Sequence, residues 1–421
     1  MGGVERHVQE LALAQSARAD VQVEVLCVAE EGEGRGRAHG REGAGGRGWW
    51  ERDGRVAVHR VPEWALVASN PVSPWIGREL ERSRQSRLHA VWHFHYPFPT
   101  GEAACLRQAA RRAAAGPPAA APRPAVICTY HSDFVGDGGL KRALGPAYGR
   151  LTRAFLSAVD RIVVASPQLA SYSRFLPDYA SKVRVVPFGI DLSRFQPAPR
   201  HERMAAALRE RYGAPLILFV GRFVPYKGVD VLLEAMALLG PGAGRAAAIG
   251  GAQAEGYASS QGARAAAETP VARLVLVGDG PLRHGLEERA TGWGLGGRVH
   301  FVGTVSDDEL VAWYHAADVF VLPSVTPNEA FGLVQLEAHA CGLPVVSTNL
   351  PSGVPFANAH GVSGLVVEPG DAKGLAAALR RLLTDPELRA RLGRQARERV
   401  YAEFSLEIMT RRILDVYAEL L

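Results

Sequence analysis

Short runs of Val, Ile and Leu alternate along this chain with stretches whose apolar residues recur every three or four positions. In the first half the runs are VQVEVLCV (21–28), VAVHRV (56–61), HAVWHFHY (89–96), AVICTYH (125–131), RIVVAS (161–166) and VRVVPF (183–188). The second half has PLILFVG (215–221), RLVLVG (273–278), VHFVG (299–303), VFVLPS (319–324), PVVST (344–348) and GLVVE (364–368). Several are almost uninterrupted β-branched and aliphatic residues, the pattern of strands buried on both faces. Strands alternating with helices predict parallel sheets with crossover helices, an α/β fold. Twelve runs exceed one ordinary doubly wound sheet, so the pattern predicts two.

The two prolines of QPAPRHER predict a break after VRVVPFGIDLSRF. That places one domain at 1–194, a second at 205–400, and a docked helix at 401–421, where Phe404, Ile408, Ile413 and Tyr417 keep helical spacing. Segments 30–48, 109–124 and 240–270 are rich in Gly, Ala and Arg and read as surface insertions, solvated or in contact with an anionic partner. Val4, Val8 and Leu11 predict a helix opened by Gly2 and Gly3. A glycine pair at such a turn follows a strand in a βα unit, yet no strand precedes it here.

Composition narrows the class without fixing it. Hydrophobic residues are 47% and charged residues 22% of the 421, as in folded globular proteins. A net charge of +5 permits attraction to anionic substrates or a membrane face and does not demand nucleic acid. Cys27, Cys105, Cys128 and Cys341 form no CxxC pair, against a disulfide scaffold or zinc ribbon and in favour of a reducing compartment. No run has the length of a membrane span and no export signal is visible, so a cytoplasmic protein is expected.

Candidate chemistry gathers at strand ends. After VFVLPS comes a polar loop and a helix expected to begin near Glu329 or Ala330. The amides around Phe331, Gly332 and Leu333 would carry partial positive charge, and Gly332 would let an anion approach. On one continuous helix Glu329 and Glu337 would lie about 12 Å apart along the axis, able to line a groove or to be unrelated. In LILFVGRFVPYKG, Arg222 and Lys227 follow a strand, where they suit a pyrophosphate or are ordinary surface cations. RLVLVGDGPLR turns at Gly278 and Gly280, half of a dinucleotide fingerprint, because Arg283 stands where the third glycine belongs. His131 ends another strand and could hydrogen-bond a substrate or be structural. His93 and His95 share a strand face, but no third metal ligand with sensible spacing stands out. No GxSxG elbow or Walker A loop occurs.

In this order, GGVERHV (2–8), TYHSD (129–133), VPFGID (186–191), VGRFVPYKG (220–228), LVGDGPL (276–282), HFVGTVSDDELVAWYHAADVFVLPS (300–324), NEAFGLVQLEAHACGLPVVST (328–348) and GVSGLVVEPGD (361–371) resemble the retaining glycosyltransferases of the GT-B fold, family 4. Glu329 and Glu337 match that family's Glu-x7-Glu signature. The resemblance covers nearly the whole chain. It implies two Rossmann-like domains facing across a cleft, a nucleotide-sugar donor, a saccharide or lipid-linked acceptor, and neither metal nor cofactor. It assigns Arg222 and Lys227 to the diphosphate and its leaving-group charge, and Glu337 to the ribose. Glu329 with the Phe331–Leu333 turn would hold the donor sugar and diphosphate, and His131 would face the sugar. Gly3, with Gly2, would approach phosphate or acceptor, and Gly278, Gly280 and 302–307 would line the base pocket.

The chain departs from that pattern at its missing first strand, its long insertions and His339. The missing strand predicts a truncated reading frame or an impaired acceptor domain, and an upstream in-frame strand-like run would favour truncation. The expected activity is hexose transfer, with mannose from GDP-mannose the leading guess, and with peripheral contact at the inner membrane face compatible. An epimerase or hydrolase on the same fold, or an inactive donor-binding subunit, are the alternatives. An NAD oxidoreductase is disfavoured for want of a complete GxGxxG.

Overall fold

The computed structural model describes residues 3–29, 48–67, 70–86, 88–114, 123–133, 139–239 and 271–421. Gly2 and most of the three insertions lie outside these. Ala109–Ala114 does not: it continues a helix, as the helix propensity of Ala and Arg favours. Two compact units emerge, one of residues 1–188 with 406–421 and one of 189–405.

In the first unit the described elements are α1 (Gly3–Ser16), β1 (Glu24–Ala29), β2 (Trp49–Asp53), β3 (Val56–Pro62), β4 (Ala65–Val67), β5 (Asn70–Val72), α2 (Trp75–Ser86), β6 (Val91–Tyr96), α3 (Pro99–Ala114), β7 (Ala125–Tyr130), α4 (Gly139–Ala158), β8 (Arg161–Val164), α5 (Pro167–Tyr172) and β9 (Val183–Val185). The last helix of the chain, Leu406–Ala418, packs on α1. All six strand runs read from this half are present. Strands β6-β7-β8-β9 form a parallel sheet, and β1-β3-β2 a mixed one. Both share one core, in which Leu26 and Val28 of β1 and Val61 of β3 join Trp92, Phe94, Cys128 and Phe155.

Among the described residues β1 pairs only with β3, and β6 only with β7. Strand β2 was not anticipated. Its antiparallel pairing with β3 turns at Gly54, φ 57°, and the preceding Asp53-Gly54 is a hairpin signal that strand periodicity alone overlooks.

The second unit contains α6 (Pro199–Tyr212), β10 (Leu216–Val220), α7 (Val229–Leu238), β11 (Arg273–Val277), α8 (Arg283–Gly292), β12 (Val299–Gly303), α9 (Asp307–Ala316), β13 (Val319–Leu322), α10 (Leu333–Ala340), β14 (Val345–Thr348), α11 (Val354–Ala357), β15 (Gly364–Val367), α12 (Ala372–Thr384) and α13 (Pro386–Glu403). Pro199 begins a helix instead of extending a linker, because at the first helical position its missing N–H costs nothing. The sheet has six parallel strands in the order β12-β11-β10-β13-β14-β15. The chain starts in the middle at β10, builds outward through β11 and β12, then crosses back to β13. The strand order thus reverses between β10 and β13, and open α/β sheets bind ligands outside the carboxyl ends of strands at such a reversal.

Candidate functional site

The loops after β10 and β13 flank that reversal. Residues 221–228 leave β10, and 323–332 leave β13. They are fastened together, since Val325 N donates to Tyr226 O at 2.8 Å. Gly228 sits at φ 63°, and a Cβ there would collide with the carbonyl of Pro323. The loop after β11 joins the same assembly. Phe223 N donates to Asp279 O at 2.9 Å, and Leu282 N to Phe223 O at 3.1 Å. Gly278, at φ 126°, has no room for a side chain against the Gly221 carbonyl, and Gly280 none against the backbone of Phe223. In the structure these two glycines serve a close crossing of two backbones, which holds the segment carrying Arg222.

Arg222 is exposed, and no carboxylate among the described residues pairs with it. Lys227 is the opposite case, 9% exposed with its Nζ 2.6 Å from Glu329 Oε2. Burial works to lower the pKa of its ammonium, but the Glu329 carboxylate and the Tyr226 phenol together outweigh it, and Lys227 ends above the ordinary lysine value. It stays cationic at neutral pH. The same Glu329 oxygen accepts from Ser324 Oγ at 2.8 Å, and Thr348 Oγ1 donates to the Ser324 carbonyl at 2.6 Å. Ser324 and Thr348 were not singled out from the sequence. Only the strand-end position of Ser324 hinted at a role.

Helix α10 begins at Leu333, later than the sequence suggested. Gly332 caps it at φ 73°, and a Cβ there would strike Leu322. Glu329 therefore lies in the loop, and its relation to Glu337 is not that of two residues on one helix. Leu333 and its successor place first-turn amides at the positive end of α10, beside the Lys227 loop's partner segment. Phe331 is buried and packs on Phe404. Glu337, in the second turn, accepts from Tyr314 Oη at 2.7 Å.

His131 and Gly3 belong to the first unit. Gly3 is the first residue of α1, with nothing within 4 Å of where its Cβ would stand. His131 follows β7 and enters a buried group of imidazoles. Its Nε2 lies 3.1 Å from His95 Nδ1, and the His7 ring is edge-on to both at 5.7 Å. His93 bridges Tyr417 Oη and Thr129 Oγ1, each at 2.7 Å. Burial first, and then the His95 imidazole, lower the pKa of His7 to about 3. Burial alone takes His95 to about 4, and both effects push His93 and His131 well down. The four are neutral at pH 7. Among the described residues no three His, Cys, Asp or Glu converge as metal ligands. Beside them Asp133 fixes the loop, accepting from Tyr130 Oη at 2.7 Å and from Arg174 N at 3.0 Å. A cavity of about 910 Å³ lined by Leu208, Tyr212, Ala290, His300 and Trp313 also lies in the second unit, and of the candidate residues it takes in Val302 and Val305 of the 302–307 segment.

Comparison with known proteins covers both units. The profile of Glycosyl transferases group 1 matches residues 201–399, and that of Glycosyltransferase Family 4 matches 1–194. The chain is 36% identical over 277 residues to the D-rhamnosyltransferase WbpZ of Pseudomonas aeruginosa, 66% of this chain and 62% of that protein. It is 29% identical over 356 residues to the O-antigen chain mannosyltransferase C of Escherichia coli, 84% of this chain and 81% of that one. It thus spans less than two thirds of the rhamnosyltransferase. Among solved structures, sucrose-phosphate synthase from Thermosynechococcus elongatus superposes with a TM-score of 0.73 at 24% identity, covering 100% of this chain and 94% of that one. HepE of Anabaena, crystallised with UDP, gives 0.67 at 18% identity, covering 99% and 96%. No described helix is long and apolar enough to cross a membrane. Matched in sequence over both units and sharing the GT-B fold of two Rossmann-like α/β units, the chain belongs to the group 1 glycosyl transferases of family 4.

Proposed function

We propose that this protein transfers a hexose from a nucleotide diphosphate sugar to a saccharide or lipid-linked acceptor, with retention at the anomeric carbon. The observation that carries the reading is the convergence of Lys227, Arg222 and the N-terminus of α10 on the reversal between β10 and β13. A departing nucleoside diphosphate accumulates negative charge as the glycosidic bond to it breaks. Fixed cations and helix amides lower the energy of that charge without reorganising at the moment of reaction. Lys227 suits this role because its pairing with Glu329 keeps it protonated although buried. Arg222, exposed and without a carboxylate partner among the described residues, supplies a planar fork for two phosphate oxygens.

Glu329 then acts twice, holding Lys227 in place and accepting hydrogen bonds from donor sugar hydroxyls at its carboxylate. His131, held neutral among other imidazoles, can donate or accept a hydrogen bond at a sugar hydroxyl without placing a positive charge beside an oxocarbenium-like centre. The rhamnosyltransferase and mannosyltransferase relatives support a hexose, and mannose from GDP-mannose is our first choice of donor.

The test is a thermal melt of the purified protein with a panel of UDP-, GDP- and ADP-sugars, followed by product analysis with the stabilising donor. A ligand at 100 times its Kd stabilises by about 2.7 kcal/mol, which a melt resolves. GDP-mannose should raise the melting temperature most and yield a glycosylated acceptor. Donor consumption with no acceptor product would favour hydrolysis, and a melt unmoved by every donor would defeat the reading.

A further inference from the structure

The family resemblance assigns Glu337 to the ribose of the donor, and the structure shows what holds that carboxylate. Glu337 is 6% exposed and stands fifth in the eight residues of α10, past the turn where the helix dipole favours an anion. A buried carboxylate so placed needs hydrogen-bond donors from elsewhere. One comes from α9, where Tyr314, 1% exposed, donates its phenol to Glu337 Oε2 at 2.7 Å. The phenol is itself wedged. Its ring meets Phe195 edge-on at 6.2 Å and leans on Phe320 of β13 at 5.8 Å. Helix α9 is fixed at its start by a capping box between Ser306 and Glu309.

We propose that Tyr314 is a positioning residue that sets the rotation of the Glu337 carboxylate, so that it meets both hydroxyls of a vicinal diol. This rests on the nucleotide-sugar reading above and deepens it. The terminal torsion of a glutamate is broad, so an unheld carboxylate samples many planes. Two adjacent hydroxyls are bound together only when the plane is fixed, and a fixed acceptor pair left without one hydroxyl is penalised. The consequence is selectivity: Tyr314 makes the site prefer a ribonucleotide to its deoxy counterpart, while the phosphate grip of Arg222 and Lys227 is unaffected.

The test uses the full chain and whichever of UDP, GDP and ADP it binds most tightly, with the 2′-deoxy form of the same nucleotide. Tyr314→Phe removes one oxygen and keeps the ring between Phe195 and Phe320. It should weaken ribonucleotide binding about tenfold, leave 2′-deoxynucleotide binding within about twofold, and raise donor KM with little change in kcat. Glu337→Gln is measured alongside. If Glu337→Gln abolishes the ribose preference but Tyr314→Phe keeps it, the positioning role is overturned and the ribose assignment stands. If Glu337→Gln itself keeps the preference, the ribose assignment fails. Should Tyr314→Phe fold poorly, 3-fluorotyrosine at 314 preserves ring and hydroxyl. Its fluorine resonance should move with the ribonucleotide more than with the deoxy form, and equal shifts would again overturn the proposal.

Discussion

A lysine 2.6 Å from a buried glutamate is a charge held ready, and replacing it should cost both catalysis and stability. Lys227→Ala leaves Glu329 buried without its cation, and both donor affinity and turnover should fall, with kcat down by about 10²–10³. Arg222→Ala removes an exposed side chain, so its melting temperature should stay within a degree or two while donor affinity drops at least tenfold. Steady-state kinetics with the donor identified by the thermal panel, beside a melt of each variant, check both. Full activity in either would mean that the diphosphate binds elsewhere. Gly278→Ala tests the scaffold under them. The left-handed φ costs about 1–3 kcal/mol for a residue with a side chain, before any collision with Gly221. A melting temperature unchanged by that substitution would show that the crossing of the two loops is not needed. At this scale Arg222, Lys227, Glu329 and Glu337 were legible as residue types at strand ends and a helix start. Ser324, Thr348 and Tyr314 were not, since hydroxyls in buried runs are ordinary until a partner is seen.

The elements of the first unit place His7 of α1, His93 and His95 of β6, His131 after β7 and Tyr417 of the last helix against one another. The imidazoles face each other, Thr129, Phe188 and Tyr417, and no carboxylate among the described residues raises the pKa of any of the four. An unfolded histidine takes its proton near pH 6.5, but these fold neutral, so the unfolded chain binds more protons below that pH. Their contribution to stability is complete above about pH 6.5 and is lost as the pH falls toward the folded values. Buried Glu102 runs the other way. Desolvation raises its pKa to about 7, so its contribution is present below the ordinary carboxyl value and lost as pH rises through 7. Four groups outweigh one, and urea midpoints should fall steeply from pH 6.5 to 5. His7→Leu should flatten that fall, and a flat profile in the unsubstituted protein would refute neutral burial. Strand periodicity showed β6 and β7, while the meeting of their histidines with α1 and the last helix is a matter of packing.

At the scale of the molecule, each unit has its own core, one around Phe219, Leu232 and Leu379, the other around Phe94, Cys128 and Phe155. Arg222, Lys227, Glu329 and Glu337 all fall within 189–405. A fragment of those residues should therefore fold and bind the nucleoside diphosphate with affinity within about tenfold of the full chain, yet transfer no sugar. Calorimetry on the fragment would settle the point, and loss of nucleotide binding in a folded fragment would show that the first unit contributes to the grip. Among the described residues β1 pairs with β3 alone and β6 with β7 alone, so one edge of each of these two strands has no ladder partner. Their amides should exchange with solvent faster than those of β7 or β11, both paired on two sides.

The twelve hydrophobic runs and their spacing already determined an α/β protein with parallel sheets, because strand length and side-chain period are local properties that burial on both faces makes visible in several of them. The strand-end cations and the two glutamates were equally written in the order of residues. Tertiary structure alone decided that the second sheet reverses between β10 and β13, that α10 starts after Glu329 and not at it, and that Lys227 directs its charge at Glu329. It also decided that Gly278 and Gly280 serve a backbone crossing and that Tyr314 reaches Glu337 from another helix. Each of these depends on groups far apart in the chain meeting within hydrogen-bond or van der Waals distance. No local pattern encodes such a meeting, because the partner that gives the residue its role is absent from the window in which it is read.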